Sequence, residues 1–169
     1  MKLIHYFLLS LAMLLIIPAS QAEDADAQIL VVDEVQNLEA LGEQARNDDV
    51  AVLLMFSQKG CTYCIILEQD YLLPMLRSGD YAKKVIIRKI SIDSYETLRN
   101  FDGTSISADT FATNYRSYVT PTMVFLDHNG RELTKRLMGV GTEGFFFADI
   151  DRAIDTSLNR LRSIVLNKQ

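Results

Sequence analysis

The sequence predicts an α/β fold in which a mixed sheet of four to five strands carries helices on both faces. Helical and strand-like apolar patterns alternate in the order helix, strand, helix, strand, helix, strand, strand, helix. Residues 50–56 are apolar throughout, which is typical of a strand covered on both faces. The turn sequence at residues 127–130 joins the last two strands as a hairpin. A parallel first half and an antiparallel second half together predict the mixed sheet.

Caps and helix breakers define the elements of the first half. Asp33 is the expected cap of the first helix. The second helix is expected over residues 61–77, where Pro74 removes a backbone hydrogen bond and kinks or ends it. Residues 94–107 contain Asn, Asp and Gly, and they predict an irregular connection.

The second half of the chain adds a short helix, two strands and a long terminal helix. Ser107 is the expected cap of the short helix, which would run through Tyr118 with that ring facing inward. Residues 122–126 and 131–138 are the expected strands of the hairpin. The extended terminal helix is predicted by apolar residues at helical spacing, namely Phe147, Ile150, Ile154, Leu158, Leu161 and Val165.

Residues 1–22 have the pattern of an export signal. Lys2 is followed by an apolar core of about eleven residues, which is shorter than the roughly twenty residues of a membrane span. We therefore expect cleavage after Ala22 and a periplasmic protein that is not integral to the membrane after cleavage. An uncleaved anchor is the alternative. The remaining chain is expected to form a flexible segment over residues 23–33 and one domain over residues 34–169.

The charge balance argues against two classes of partner. The chain has 17 Lys and Arg against 22 Asp and Glu, for a formal net charge of −5. An excess of negative charge repels both nucleic acid and anionic membrane surfaces. We therefore expect no nucleic-acid partner.

The motif Cys61-Thr62-Tyr63-Cys64 contains both cysteines of the chain, at the predicted start of a helix that follows a buried strand. This layout is typical of a redox-active disulfide, because residues i and i+3 at a helix start bring two sulfurs within bonding distance. A purely structural bridge is less favoured, since so short a loop constrains the unfolded chain little. The helix start favours a thiolate at Cys61. We therefore expect Cys61 to attack a substrate disulfide and Cys64 to resolve the mixed disulfide.

Several features together resemble the thioredoxin-like superfamily. They are the strand ending at Phe56, the Cys61–Cys64 motif, the step Val119-Thr120-Pro121-Thr122, the hairpin turn at 127–130 and the terminal helix after Gly139. Within the superfamily the chain is similar to exported thioredoxin-related proteins typified by the sulfur-oxidation thioredoxin. Those proteins carry a similar Tyr-Cys half of the motif and a Thr-Pro-Thr step. The resemblance covers about residues 35–160.

The resemblance implies a thiol:disulfide oxidoreductase that needs no cofactor. Protein thiols and disulfides would be its substrates, and a membrane electron donor of the thiol-reductant transporter type would recharge it. It also implies a cis peptide bond between Thr120 and Pro121 that lies against the dithiol, where these residues and an exposed Tyr63 contact substrate. The chain departs from the family in two ways: Met55 stands where thioredoxins place a buried aspartate, and the chain contains no tryptophan. These departures leave the proton-transfer group undefined.

Glu68 is the candidate for that proton transfer. It follows Cys64 by four positions, so it lies on the same face of the predicted helix as both sulfurs. A partly buried carboxylate there would accept the proton of Cys64 as that thiol attacks. The alternative is an ordinary surface carboxylate, which is the commoner situation for glutamate.

Metal binding by the two cysteines is the competing class of function. Zinc needs about four ligands, and the only histidines are His5 and His128, so no metal site is expected. Haem attachment would require a histidine where Ile65 stands. A Cu(I) carrier or a redox-sensitive binding protein is the non-enzymatic alternative, because soft thiolates suit that ion. Its third soft ligand would have to be Met55 or Met123, which lie in predicted strands.

Overall fold

The computed structural model describes residues 30–166, with side chains described through Ile164. The predicted signal peptide and residues 23–29 of the predicted flexible segment lie outside this part. The helices are α1 (Leu38–Asn47), α2 (Thr62–Leu67), α3 (Leu73–Ser78), α4 (Ala108–Asn114) and α5 (Phe146–Leu166), with a π-helical segment (Glu68–Leu72) between α2 and α3. The strands are β1 (Ala51–Ser57), β2 (Val85–Ser91), β3 (Thr97–Arg99), β4 (Ser105–Ser107), β5 (Thr122–Leu126) and β6 (Leu137–Met138). Within these residues no helix is both long enough and apolar enough to cross a bilayer.

The central sheet is mixed and has four strands in the order β2-β1-β5-β6. Strand β1 pairs in parallel with β2 and antiparallel with β5, which in turn pairs antiparallel with β6. Met55 lies opposite Lys89 of β2, and Phe56 lies opposite Thr122 of β5. The predicted α/β fold with a mixed sheet is confirmed.

The side chains of β1 alternate between two hydrophobic clusters, so both faces of the sheet are covered. Leu53 and Met55 pack into a cluster with residues of α2, α3 and α5. Leu54 and Phe56 pack on the other face with residues of α1 and α4. All four side chains are fully buried. An uninterrupted apolar run is therefore what a strand in this position requires.

The first helix begins after Asn37, not after Asp33. The Asn37 side chain accepts a hydrogen bond from the Ala40 N–H at 3.0 Å and caps α1. The Asp33 carbonyl instead accepts from the Lys89 N–H at 3.0 Å, and the Val35 N–H donates to the Lys89 carbonyl at 2.9 Å. The predicted cap at Asp33 is wrong because the segment before α1 pairs with the open edge of β2.

The helical backbone after the cysteines continues past Pro74. It widens into the π-helical segment before the proline and ends at Gly79, which has a φ of 73°. A left-handed residue at this position is a common helix terminator, and glycine adopts it without steric cost. Glu68 lies at the junction between α2 and the π-helical segment.

Three elements of the second half differ from expectation. The predicted irregular connection at residues 94–107 contains the two-stranded sheet β3–β4. Tyr118 is 71% exposed rather than inward, because α4 ends at Asn114 and Arg116 then turns the chain with a φ of 51°. The predicted strand at residues 131–138 is reduced to β6 and one isolated bridge between Leu126 and Glu132.

Candidate active site

Cys61 and Cys64 form a disulfide at the edge of the sheet where β1 ends. The Sγ–Sγ distance is 2.11 Å and the Cα–Cα distance is 5.2 Å. Cys61 caps the start of α2, and its Sγ accepts a hydrogen bond from the Cys64 N–H at 3.1 Å. The structure thus brings the two predicted site residues together as their spacing indicates.

Solvent reaches the two sulfurs unequally. Cys64 is only 2% exposed and belongs to the hydrophobic cluster that contains Leu67 and Met55. Cys61 is partly exposed and packs against the edge of that cluster. A partner molecule can therefore approach Cys61 directly, whereas it reaches Cys64 only after Cys61. This is the arrangement that an attacking and a resolving cysteine require.

The turn before Cys61 is held by a residue from a distant segment. Gly60 has a φ of 75°, a conformation that glycine adopts without strain. The Asp93 carboxylate, in the connection after β2, accepts a hydrogen bond from the Lys59 N–H at 3.0 and 3.2 Å. Sequence reasoning missed Asp93, because no local pattern links residues 34 positions apart.

The Thr120–Pro121 peptide bond is cis, as the resemblance implies. Thr122, the next residue, pairs with Phe56 near the end of β1. Pro121 therefore lies at the same edge of the sheet as the disulfide. Its carbonyl accepts a hydrogen bond from the Gly139 N–H at 2.7 Å, which attaches the loop after β6 to this edge.

Exposed apolar side chains flank this edge on the β5 side. We call Tyr63, Tyr118, Val119 and Met138 the apolar rim. They are 63%, 71%, 58% and 65% exposed. Val119 precedes the cis peptide bond, and Met138 pairs with Thr122 just after it. Exposed apolar groups beside a reactive group are suited to contact with another protein.

A charged cleft lies on the β2 side of the disulfide. It has a volume of about 460 Å³, and both cysteines line it. Its charged side chains come from separate segments of the chain, and they include Glu34, Glu68, Lys89 and Asp93. The disulfide therefore separates an apolar surface from a charged one.

Glu68 and Lys89 form an ion pair within this cleft. The Lys89 Nζ lies 2.8 Å from Glu68 Oε2 and 3.0 Å from Oε1. The side chains are 25% and 18% exposed for Lys89 and Glu68 respectively. Glu68 is thus partly buried and lines the same cleft as the two cysteines. Sequence reasoning missed Lys89 as its partner; the available signal was the pair of cations, Arg88 and Lys89, inside a largely apolar strand.

The methionines offered as a third copper ligand are not exposed at the cysteines. Met55 and Met123 pair across β1 and β5, and both are fully buried. Within residues 30–166 there is no group of three or more His, Cys, Asp or Glu placed to hold a metal ion. Neither thioether is therefore accessible beside the cysteines.

Comparisons with known proteins agree with this geometry. The chain belongs to the family described as thioredoxin-like domain, which matches residues 39–148. Among solved structures, a thioredoxin-fold protein from Helicobacter pylori is 21% identical, with a TM-score of 0.50 over 72% of this chain and 88% of that one. A wild-type thioredoxin h from poplar is 20% identical, with a TM-score of 0.50 over 72% and 97%. At these identities the likeness concerns the fold alone. No curated protein matches the sequence.

Proposed function

We propose that this protein is an exported thiol:disulfide oxidoreductase that reduces protein disulfides in the periplasm. The observation that carries the proposal is the Cys61–Cys64 disulfide, with Cys61 accessible and Cys64 buried. The family membership supports a redox role for this pair.

The proposed reaction transfers two electrons and two protons from the reduced pair to a substrate disulfide. The Cys61 thiolate attacks one substrate sulfur, forms a mixed disulfide and releases the other sulfur as a thiolate. Cys64 then loses its proton and attacks the Cys61 Sγ, which forms the intramolecular disulfide and frees the second substrate thiolate. Each released thiolate takes up one proton.

Substrate contacts are proposed for Thr120, Pro121 and Tyr63. Pro121 lies at the same sheet edge as the disulfide, and Tyr63 is exposed between the two cysteines. A segment of substrate laid along this edge would present its disulfide to Cys61 while its apolar side chains cover the apolar rim.

Glu68 is proposed to accept the proton of Cys64. It lies one helical turn after that residue, and its carboxylate and the cysteine line the same cleft. General base catalysis requires such a carboxylate to come within reach of the thiol, directly or through one water.

Export and recharging complete the proposal. The apolar leader and its small residue at position 22 support transport to the periplasm. In that oxidising compartment a dithiol stays reduced only when a reductant renews it. We therefore propose a membrane electron donor of the thiol-reductant transporter type, as in the sulfur-oxidation thioredoxins that the sequence resembles.

The test of the proposed function is disulfide reduction by the purified protein and its cysteine variants. The wild type should accelerate the reduction of insulin by dithiothreitol, and both Cys61→Ser and Cys64→Ser should abolish the acceleration. In cells, Cys64→Ser should accumulate mixed disulfides with protein substrates, since the resolving thiol is missing, whereas Cys61→Ser should not. Equal trapping by Cys61→Ser would overturn the assignment of the nucleophile. A wild type that fails to accelerate the reaction would overturn the function itself.

Export is tested separately with the full-length chain expressed in a bacterial host. The periplasmic fraction should contain a form whose N-terminal residue is Glu23. Recovery of the uncut chain in the cytosol would contradict both the signal peptide and the compartment.

A further inference from the structure

We propose that a small cavity beside the dithiol is a subsite for a lysine or arginine side chain of the substrate protein. The proposal rests on the proposed function and deepens it, because it states which substrate disulfides are reduced fastest. The cavity has a volume of about 340 Å³. Ligand pockets begin at roughly 300 Å³, so a cavity of this size takes one side chain rather than a folded surface. Its walls contain two tyrosines and two acidic residues, and we call it the acidic–aromatic pocket: Tyr63, Tyr71, Asp70 and Glu143.

One wall of the acidic–aromatic pocket is a stripe along the helical backbone after Cys61. Tyr63, Ile66 and Asp70 follow one another at spacings of three and four residues, and all three line the pocket. Residues at these spacings share one face of a helix. Tyr63 stands between the two cysteines and is 63% exposed. The stripe therefore connects the dithiol with the carboxylate of Asp70.

The opposite wall is the loop between β6 and α5, which carries Glu143. The Gly139 N–H donates to the Pro121 carbonyl at 2.7 Å, which attaches this loop to the sheet edge that holds the disulfide. Gly141 lets the loop lie close to α5, because a Cβ there would come within 2.5 Å of the Phe146 ring. The pocket therefore lies next to the surface on which substrate is proposed to bind.

The aromatic surface of the pocket suits a cation with an apolar stem. The Tyr71 ring packs edge-on against Phe146, with the ring centroids 5.2 Å apart, and its centroid lies 6.2 Å from that of Phe147. These contacts hold one ring in place, and the more exposed Tyr63 supplies the second. The face of a tyrosine ring attracts a cation. The methylene groups of lysine or arginine can meanwhile pack on apolar side chains such as Ile66.

Asp70 and Glu143 give the pocket its negative charge. Both residues are exposed, and neither carboxylate forms a hydrogen bond or ion pair within residues 30–164. No lysine or arginine of this part of the chain lines the pocket. On the other side of the dithiol, by contrast, the carboxylates of Glu68 and Asp93 are engaged by groups of the chain itself. The negative charge of the pocket is thus available to a cation of the substrate.

The position of the pocket determines which part of a substrate reaches it. In the mixed disulfide a substrate cysteine is bonded to Cys61, two residues before Tyr63. An extended chain advances about 3.3 Å per residue, so a side chain within about three residues of that cysteine is close enough to enter the pocket. The pocket therefore distinguishes substrates by the residues that flank their disulfide.

The test is single-turnover reaction of the reduced protein with peptide disulfides that differ in one residue. Each peptide carries lysine, arginine, glutamine or glutamate within about three residues of its cysteine. The lysine and arginine peptides should form the mixed disulfide about fivefold faster than the glutamine peptide, the effect of an exposed ion pair together with a cation–π contact. The glutamate peptide should react more slowly than the glutamine peptide. The ratio of the lysine rate to the glutamine rate is the readout, so a general change in thiol reactivity cancels.

Variants of the two carboxylates test the origin of this preference. Asp70→Asn together with Glu143→Gln should bring the ratio to about one, and Asp70→Lys together with Glu143→Lys should make the glutamate peptide the faster substrate. The matched control combines Glu43→Gln with Asp48→Asn, which removes two negative charges from exposed positions in and directly after α1, on the other face of the sheet. This control should keep the wild-type ratio. If net charge alone attracted the lysine peptide, the control would lower the ratio as much as the pocket variant does.

The contrary results separate the subsite from the proposed function. A ratio near one in the wild type, or a preference that survives in the pocket variant, would overturn the subsite and leave the redox function in place. An equal loss of preference in the pocket variant and the control would assign the preference to net charge, and would overturn the subsite as well. A reduced protein that reacts with none of the peptides would overturn the proposed function and the subsite with it.

Discussion

The two ends of strand β2 carry the same kind of ion pair in different surroundings. The Nζ atom of Lys84, directly before the strand, lies 2.9 Å from Oδ1 of Asp155 in α5. The Nζ atom of Lys89, within the strand, lies 2.8 Å from Oε2 of Glu68. The side chains of the first pair are 41% and 56% exposed, whereas those of the second are 25% and 18% exposed. The distances are nearly equal, so exposure and location distinguish the pairs.

The two ion pairs differ in what lies near them, and the proposed role of Glu68 makes that difference testable. Strands β1 and β2 are parallel, so their carboxyl ends meet at one edge of the sheet, and the dithiol follows β1 at that edge. The Lys89 pair lies towards that edge and lines the cleft of the dithiol. The Lys84 pair lies at the opposite end of the strand, where water screens it and it contributes little to stability.

The largest expected difference between the two ends is in the rate of thiol-disulfide exchange. Glu68→Gln should slow resolution of the mixed disulfide by about tenfold or more, because the variant removes the proton acceptor and keeps the shape of the side chain. Asp155→Asn, the matched change at the other end, should leave this rate within about twofold of the wild type, since it touches no group of the site. Stopped-flow measurement of the resolution rate in both variants checks these two outcomes. A similar loss of rate in Glu68→Gln and Asp155→Asn would show that the two ends of β2 do not differ in their effect on the dithiol.

Sequence reasoning predicted the features that depend on local patterns. Strand β1 was recognisable because the buried residues 50–56 form an unbroken apolar run. The cysteine pair was recognisable from its spacing. The cis bond at Pro121 followed from the family resemblance, since local sequence alone leaves most X-Pro bonds trans.

The features that escaped prediction depend on contacts between distant segments. Asp33 and Asn37 are both good helix caps, and the pairing of residues 33–35 with Lys89 decides between them. Strands of three residues, such as β3 and β4, are too short to show a period. The pairing of Glu68 with Lys89 joins a helix to a strand across 21 positions, and no local pattern contains it.

A smaller effect is expected for the stability of the end remote from the dithiol. The Tyr81 hydroxyl donates to Asp151 Oδ1 at 2.6 Å, so Tyr81→Phe should lower the free energy of unfolding by about 1 kcal/mol without changing redox rates. Burial, and then the Asp151 carboxylate, raises the pKa of Tyr81 above its ordinary value. The folded state therefore holds the Tyr81 proton more tightly than the unfolded chain does. The stability that this hydroxyl contributes to the fold is lost as the pH rises above about 10.

Urea unfolding at a series of pH values tests the direction of this pH dependence. The stability of the Tyr81→Phe variant should fall less steeply than that of the wild type above about pH 10, because phenylalanine has no proton to lose. Parallel curves for the two proteins would show that the Tyr81 hydroxyl does not contribute in this way.

The smallest effect is expected at Lys84. Lys84→Met should change the free energy of unfolding by at most a few tenths of a kcal/mol, because both partners of this pair are largely exposed. Thermal unfolding in low and high salt is the appropriate measurement. A loss above about 1 kcal/mol would show that screening at this end of β2 is weaker than the exposure of the side chains indicates.

The reduction potential of the Cys61–Cys64 pair tests the central claim most directly. The protein is equilibrated with dithiothreitol or glutathione buffers, and its free thiols are alkylated and counted by mass. A periplasmic reductase requires a two-electron transition near the roughly −270 mV of a thioredoxin. A transition near about −120 mV, typical of a disulfide-forming oxidant, would contradict the proposed direction of electron flow. A pair that does not titrate with any thiol buffer would contradict a redox role altogether.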